Sequence, residues 1–229
     1  MDETEQKQQI GGLFDRIAGT YDALNHLLSF NIDRHWRRRL AQTMKPCAEA
    51  LDVAIGTGDL SLEIAHQHKA QHIVGIDLST EMMHIGAEKT QGLDIEFREG
   101  SALAMPFAAD TFDTVTCSFG CRNFSDLSQG LHEMYRVLHT DGEVLILEFS
   151  YPRNHLVAWC YDLYFSHILP RVGALMSHDK QAYRYLNRSV KEFIWGDDFC
   201  EQMRQAGFAQ VTYQPLTLGI ATLYRGVKH

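Results

Sequence analysis

No CxxC pair occurs in this sequence, and no His/Cys set has zinc-finger spacing. The five cysteines, at 47, 117, 121, 160 and 200, are odd in number. They read as reduced thiols of a cytosolic protein, not as a disulfide framework or a metal centre. Basic residues are outnumbered, 21 against 29 acidic, for a formal net charge of −8. That argues against general nucleic-acid binding, whose affinity comes from basic patches on phosphates. No apolar run nears the ~20 residues of a spanning helix. The opening "MDETEQKQQI" has no apolar signal-peptide core. The expectation is a soluble, cytoplasmic protein that is still free to touch a membrane surface. Repeats and low-complexity tracts are also missing. What is present is a globular balance, 45% hydrophobic and 22% charged over 229 residues. That length suits one α/β domain with an added lobe and needs no disulfides.

The first 46 residues read as a helical lobe. Ile10, Leu13, Phe14 and Ile17 follow i, i+3, i+4, i+7 spacing, and Ile32, Trp36, Leu40 and Met44 recur at i+4. Asp33 is a candidate cap for the second helix. Over 47–150 strands alternate with helices. Strands are expected at 49–55, 72–77, 94–100, 112–119 and 143–149. Ser79 and Ser125 are candidate N-caps, and Asp141-Gly142 reads as a turn. Such alternation implies a parallel sheet covered on both faces. Residues 151–195 break the rhythm and read as a helical insert rich in aromatics. A helix at 197–206 and two strands closing an antiparallel hairpin on the sheet edge complete the chain.

"LDVAIGTGDL" (51–60) places Gly56-Thr57-Gly58 directly after the first strand. In an open α/β sheet that turn is the usual ligand cradle. A dinucleotide fingerprint needs a third glycine, and Ser61 stands there instead. Asp77 ends the second strand, where a carboxylate accepts hydrogen bonds from both ribose hydroxyls. That suits NAD and S-adenosylmethionine equally.

The stretch "GSALAMPFAADTFDTVTCSF" (100–119) resembles the class I S-adenosylmethionine-dependent methyltransferases, whose loop after strand three reads the adenine edge. Ser101 stands where many of them carry an acidic residue, which leaves the Ala102 backbone for that task. Longer stretches narrow the resemblance: "FDRIAGTYDALNHLLSFNIDRHWRR" (14–38), "SFGCRNFSDLSQGLHEMYRVL" (118–138), "LEFSYP" (147–152) and "LTLGIATLYRGVK" (216–228). With "GTGDL" and "ALAMPF", these are similar to the ubiquinone/menaquinone biosynthesis C-methyltransferases, the UbiE/MenG family. The resemblance implies a Rossmann-like class I methyltransferase fold. It would have a seven-stranded mixed sheet, an N-terminal helical lobe and a helical lid insert. The cofactor would be S-adenosylmethionine, contacted by Gly56, Thr57, Gly58, Asp77, Ser101, Ala102 and Ser118. The partner would be a polyprenyl quinol: a demethylmenaquinol, a 2-methoxy-6-polyprenyl-benzoquinol, or both. Tyr151 stands where a lysine is common, and Cys121 replaces an aliphatic residue.

Ring-carbon methylation needs an aligned donor and acceptor, a stabilised phenolate and a route for one proton. Arg122 would stabilise the anionic quinol oxygen, Asn123 would orient a water or the second hydroxyl, and Tyr21 would complete the site. His26 and His35 are minor candidates for the base. Arg34, Arg37 and Arg38 share one helix face, which reads first as a solvated charged face and second as a dock for anionic lipid, and a homodimer is left open. The competing readings are a methyltransferase with a non-quinone acceptor, an NAD-dependent dehydrogenase and a non-catalytic scaffold. The dehydrogenase needs the missing third glycine. The scaffold predicts a degraded cofactor turn, and "AIGTGDL" is intact.

Overall fold

The computed structural model describes residues 11–164 and 188–229. Helix α1 (Gly12–Leu28) and α2 (Ile32–Thr43) lead into β1 (Cys47–Val53), α3 (Asp59–His66), β2 (Ala70–Asp77), α4 (Thr80–Lys89) and β3 (Ile95–Glu99). Next come β4 (Phe112–Ser118), a 3₁₀ turn (Cys121–Asn123), α5 (Leu127–Val137), β5 (Leu138–Phe149) and α6 (His155–Leu163). The described chain closes with α7 (Asp197–Gln205), β6 (Ala209–Leu216), a 3₁₀ turn (Thr217–Gly219) and β7 (Ala221–Val227). Most of the aromatic insert, 165–187, lies outside the described residues.

The seven strands form one sheet in the order β3-β2-β1-β4-β5-β7-β6. Only β7 runs antiparallel, pairing with both β5 and β6. The inner strands are near-continuous apolar runs because both faces are covered. On one face Leu51, Val53, Val115 and Ile146 pack with Leu131 and Met134 of α5 and Phe199 and Met203 of α7. On the other, Ile73, Leu145 and Leu147 pack with Trp36 and Leu40 of α2, Met44 at its C-terminal end, and Leu60 and Ile64 of α3. The i+4 stripe of α2 is therefore what seats the N-terminal lobe. The indole Nε1 of Trp36 donates to Thr217 Oγ1 at 2.7 Å and ties that lobe to the last hairpin.

Four local expectations are corrected. Asp33 does not cap α2: Asn31, at φ 60°, holds that position without a side-chain bond, and Asp33 is buried in an ion cluster. Asp126, not Ser125, caps α5 by accepting from Gln129 N–H at 2.9 Å. The spacing of Leu127, Leu131, Met134 and Leu138 predicts a helical stripe that runs to Leu138, but Leu138 already pairs with Phe112 as the first residue of β5. Asp141-Gly142 is a bulge inside β5, with Asp141 at φ 65°, where the register to β4 shifts. Ser79 caps α4 as expected, accepting from Met82 N–H.

The parallel strands all end on one edge. The loops at 54–58, 77–79, 100–104, 118–124 and 150–154 gather there, beside the topological switch between β1 and β4.

Candidate active site

A cleft of about 690 Å³, counted to its open mouth, lies on that edge. Gly56, Asp77, Ala102 and Ser118 line it from the sheet, and Asn123 from the 3₁₀ turn. Phe14 and Tyr21 close it from α1, with Gly11 at the start of that helix.

The glycine turn is built on backbone freedom. Gly56 sits at φ 56° and Gly58 at φ 75°, both in the left-handed region that glycine adopts at no steric cost. Gly56 N–H donates to Asp77 Oδ2 at 2.8 Å, and Ser79 N–H donates to Oδ1 at 2.9 Å. Burial pushes the Asp77 carboxyl up, and the Ser79, Gly56 and Leu78 N–H groups oppose that shift. Each oxygen keeps a further lone pair for a ligand hydroxyl. Ala54 (φ 57°) and Phe119 (φ 59°) also line the cleft and are non-glycine residues in the left-handed region. Such conformations cost about 1–3 kcal/mol each and gather at sites that must hold a fixed shape.

Thr57, Gly58, Ser101 and Arg122 do not line this cleft. The Thr57 hydroxyl donates to Asp22 Oδ1 of α1 at 2.6 Å. Gly58 supplies the left-handed start of α3. Ser101 is buried, and its hydroxyl accepts from Leu103 N–H at 3.2 Å, which shapes the loop that presents Ala102. Ser61, at the third fingerprint position, is fully buried and donates to Asp52 Oδ2 at 2.7 Å.

Arg122 stands behind the cleft. Its Nη1 donates to Glu148 Oε1 at 2.9 Å and to the Phe119 carbonyl. Its backbone N–H donates to Glu148 Oε2 at 3.2 Å, and its guanidinium lies 5.2 Å from the Phe149 ring centroid. The Glu148 side chain is fully buried, so the pair is held in a low-dielectric setting. Tyr21 packs edge-on against Phe14 at 5.9 Å. Burial raises the Tyr21 hydroxyl, and the nearby positive charge of Arg122 opposes that shift. Asn123 faces the cleft.

A polar network fastens α1 to this site. Lys89 Nζ donates to Asp22 at 2.8 Å, Thr57 at 3.2 Å and Asp59 at 2.6 Å. Ser79 Oγ donates to Asp15 at 2.5 Å. His26 Nδ1 lies 2.7 Å from Asp33, and Arg37 Nη1 lies 2.5 Å from the same oxygen. Burial works against the charge on Asp33 and Asp59. Arg37 nonetheless brings both carboxyls below their ordinary range, helped by Ser29 at Asp33 and Lys89 at Asp59. The His26, Asp33 and Asp59 ligand atoms lie within 4.8 Å of one another. Arg37 and Lys89 already supply the positive charge that a cation would bring there. His26 therefore serves the network, and His35 is exposed on α2. Arg37 is turned inward and leaves the basic face that Arg34 and Arg38 share.

Residues 1–228 match the ubiE/COQ5 methyltransferase family. The chain belongs to that family. The demethylmenaquinone methyltransferase of Porphyromonas gingivalis is 41% identical, over 99% of this chain and 95% of its own. The ubiquinone/menaquinone biosynthesis C-methyltransferase UbiE of Geotalea daltonii is 47% identical, over 98% of both chains. A SAM-dependent methyltransferase of Thermotoga maritima has the same fold, with a TM-score of 0.70 at 16% identity over 96% of this chain and 100% of that one. The [4+2]-cyclase SpnF matches at a TM-score of 0.71 and 16% identity, over 97% and 96%. The fold by itself thus does not set the chemistry. As a member of the ubiE/COQ5 family, this chain is an S-adenosylmethionine-dependent methyltransferase. The cleft suits that cofactor. The Ser118 hydroxyl is buried at its wall with no hydrogen-bond partner among the described residues. A buried donor left unpaired is costly and fits a bound polar group.

Sequence reasoning passed over Glu148, Asp22, Lys89 and Asp15. Glu148 left a readable signal, a lone acid near the end of the apolar strand "EVLILEF". The other three act across elements distant in sequence, and no local pattern marks them.

Proposed function

We propose that this enzyme methylates a ring carbon of a polyprenyl quinol: demethylmenaquinol, 2-methoxy-6-polyprenyl-1,4-benzoquinol, or both. The observation that carries the reading is the Arg122–Glu148 pair, fixed behind a cleft lined by Tyr21, Ser118 and Asn123. S-adenosylmethionine supplies an electrophilic sulfonium methyl. Asp77, Gly56, Ala102 and Ser118 would hold it, with Thr57, Gly58 and Ser101 shaping the loops that present them. The acceptor carbon becomes nucleophilic when its neighbouring hydroxyl gives up a proton. Arg122 stabilises the resulting negative charge, and its own pKa rules it out as the base. Burial keeps Tyr21 protonated through neutral pH, so it donates a hydrogen bond and takes no proton. Asn123 offers both a donor and an acceptor to the second hydroxyl or to a water. No group of this trio accepts the proton directly, which directs it to water at the open mouth.

The test is methyl transfer from labelled S-adenosylmethionine to short-tailed demethylmenaquinol and 2-methoxy-6-prenyl-benzoquinol, each kept reduced. Label in the naphthoquinol alone assigns a menaquinone enzyme, and label in both assigns a bifunctional one. Label in neither, with cofactor binding intact, removes the quinol acceptor.

A further inference from the structure

Among the described residues the most exposed large apolar side chains fall on three segments, with Leu93 and Ile194 lower, at 37% each. Leu27 and Phe30 sit at the α1–α2 junction, 47% and 72% exposed. Leu156, Trp159 and Leu163 form an i, i+3, i+7 stripe on the outer face of α6, 71%, 63% and 44% exposed, while Tyr161 faces inward. Leu218, at 74%, tips the β6–β7 turn.

Contacts join these segments into one rim. The Phe30 and Tyr164 rings lie 6.1 Å apart, which brings the α1–α2 junction to the end of α6. Trp36 bonds Thr217, the neighbour of Leu218, and the Ser150 hydroxyl donates to Gly219 O at 2.8 Å just ahead of α6. All three segments flank the carboxyl edge of the sheet, where the cleft opens.

We infer that Leu27, Phe30, Leu156, Trp159, Leu163 and Leu218 form a docking surface for an anionic lipid bilayer. The inference rests on the quinol reading above, because a polyprenyl tail must pass from lipid into this cleft. Contiguous apolar surface on a soluble-type fold marks an interaction site. Aromatic residues on such a surface favour the lipid–water boundary. Charge selects the occupant. The chain carries −8 overall, yet residues 29–39 hold Arg34, Arg37, Arg38 and Arg39 against Asp33 alone. Arg37 neutralises Asp33, while Arg34 is exposed one turn beyond Phe30 and makes no ion pair among the described residues. Anionic headgroups complement that edge. A second copy of the chain would set its own arginines against these.

Flotation of the full chain with phosphatidylglycerol-containing vesicles tests the surface. The wild type is expected to rise with the vesicles. Phe30→Ser and Trp159→Ser are each expected to cut partitioning about tenfold, the scale of withdrawing one large apolar side chain from lipid. Arg34→Glu should weaken binding to anionic vesicles and leave binding to neutral ones unchanged. All three variants should methylate a water-soluble, short-tailed quinol at the wild-type rate. A wild type left at the bottom of the gradient, or a Phe30→Ser/Trp159→Ser double variant that floats as well as wild type, overturns the proposal. So does a wild-type dimer that the double variant splits without any vesicle binding. A wild type that floats but labels no quinol upholds the docking surface and defeats the substrate reading.

Discussion

At the scale of single residues, two buried carboxylates govern the site. Glu148 touches Arg122 and nothing of the cleft, so it is a positioning residue. Glu148→Gln leaves the guanidinium uncompensated in a low-dielectric setting, expected to cost about 3–5 kcal/mol of stability. Turnover should fall about 10²-fold with the S-adenosylmethionine Kd unchanged. Urea unfolding, single-turnover rates and calorimetry check the three values. A parallel loss of cofactor affinity would make Glu148 a general structural support instead. Asp52, beneath the glycine turn, has its carboxyl raised by burial to about 6, against the hydrogen bonds from Ser61 and Thr116. A raised carboxyl contributes stability that is present at low pH and lost as pH rises through the folded value. Removing that group should therefore abolish its share of the trend. The stability of wild type relative to Asp52→Asn is expected to fall by roughly 2.4 kcal/mol between pH 4 and pH 8. Paired urea titrations at both pH values measure it, and a flat difference would contradict the shift.

At the scale of elements, α1 walls the cleft through Phe14 and Tyr21 and hangs on polar bonds. Its anchors are Asp15 to Ser79 and Asp22 to Thr57 and Lys89. These partly exposed pairs are individually weak and screened by salt, so α1 should open at a lower free energy than the sheet. Asp22→Asn is expected to speed amide exchange across 12–28 and to weaken cofactor binding several-fold, leaving exchange in β1 and β4 unchanged. Exchange measured by mass spectrometry with and without S-adenosylhomocysteine decides this. Unaltered α1 protection would show that Phe14 and Tyr21 packing holds the helix without the network.

At the scale of the whole molecule, the cofactor belongs to the fold's stability as well as to its chemistry. A ligand at about 100 times its Kd adds roughly 2.7 kcal/mol by mass action, or about 5–10 °C in Tm for a chain of this size. S-adenosylhomocysteine should give the wild type that shift, and Asp77→Ala should lose most of it. Calorimetric scans test both, and a full shift in Asp77→Ala would take Asp77 out of the ligand site. The rim described above works at the same scale, since Phe30, Trp159 and Leu218 become one surface only when α2, α6 and the last hairpin meet.

The sequence by itself determined the alternation of strands and helices, the glycine turn and the acid ending the second strand. Each is a short-range pattern, in which periodicity, φ-permissive residues and strand ends lie within a few positions of one another. It also pointed to Tyr21, Arg122 and Asn123 through family resemblance. Tertiary structure decided which side chains face the cleft. Thr57 and Ser101 fall in the expected loops but spend their hydroxyls on Asp22 and Leu103. Asp33 reads as a helix cap, yet it is buried as the partner of Arg37 and His26. Glu148 becomes meaningful only when β5 lies beside β4 and brings it against Arg122. A hydrogen bond or ion pair between residues 26 or 35 positions apart depends on strand order and helix docking, and those are settled by burial of the whole core.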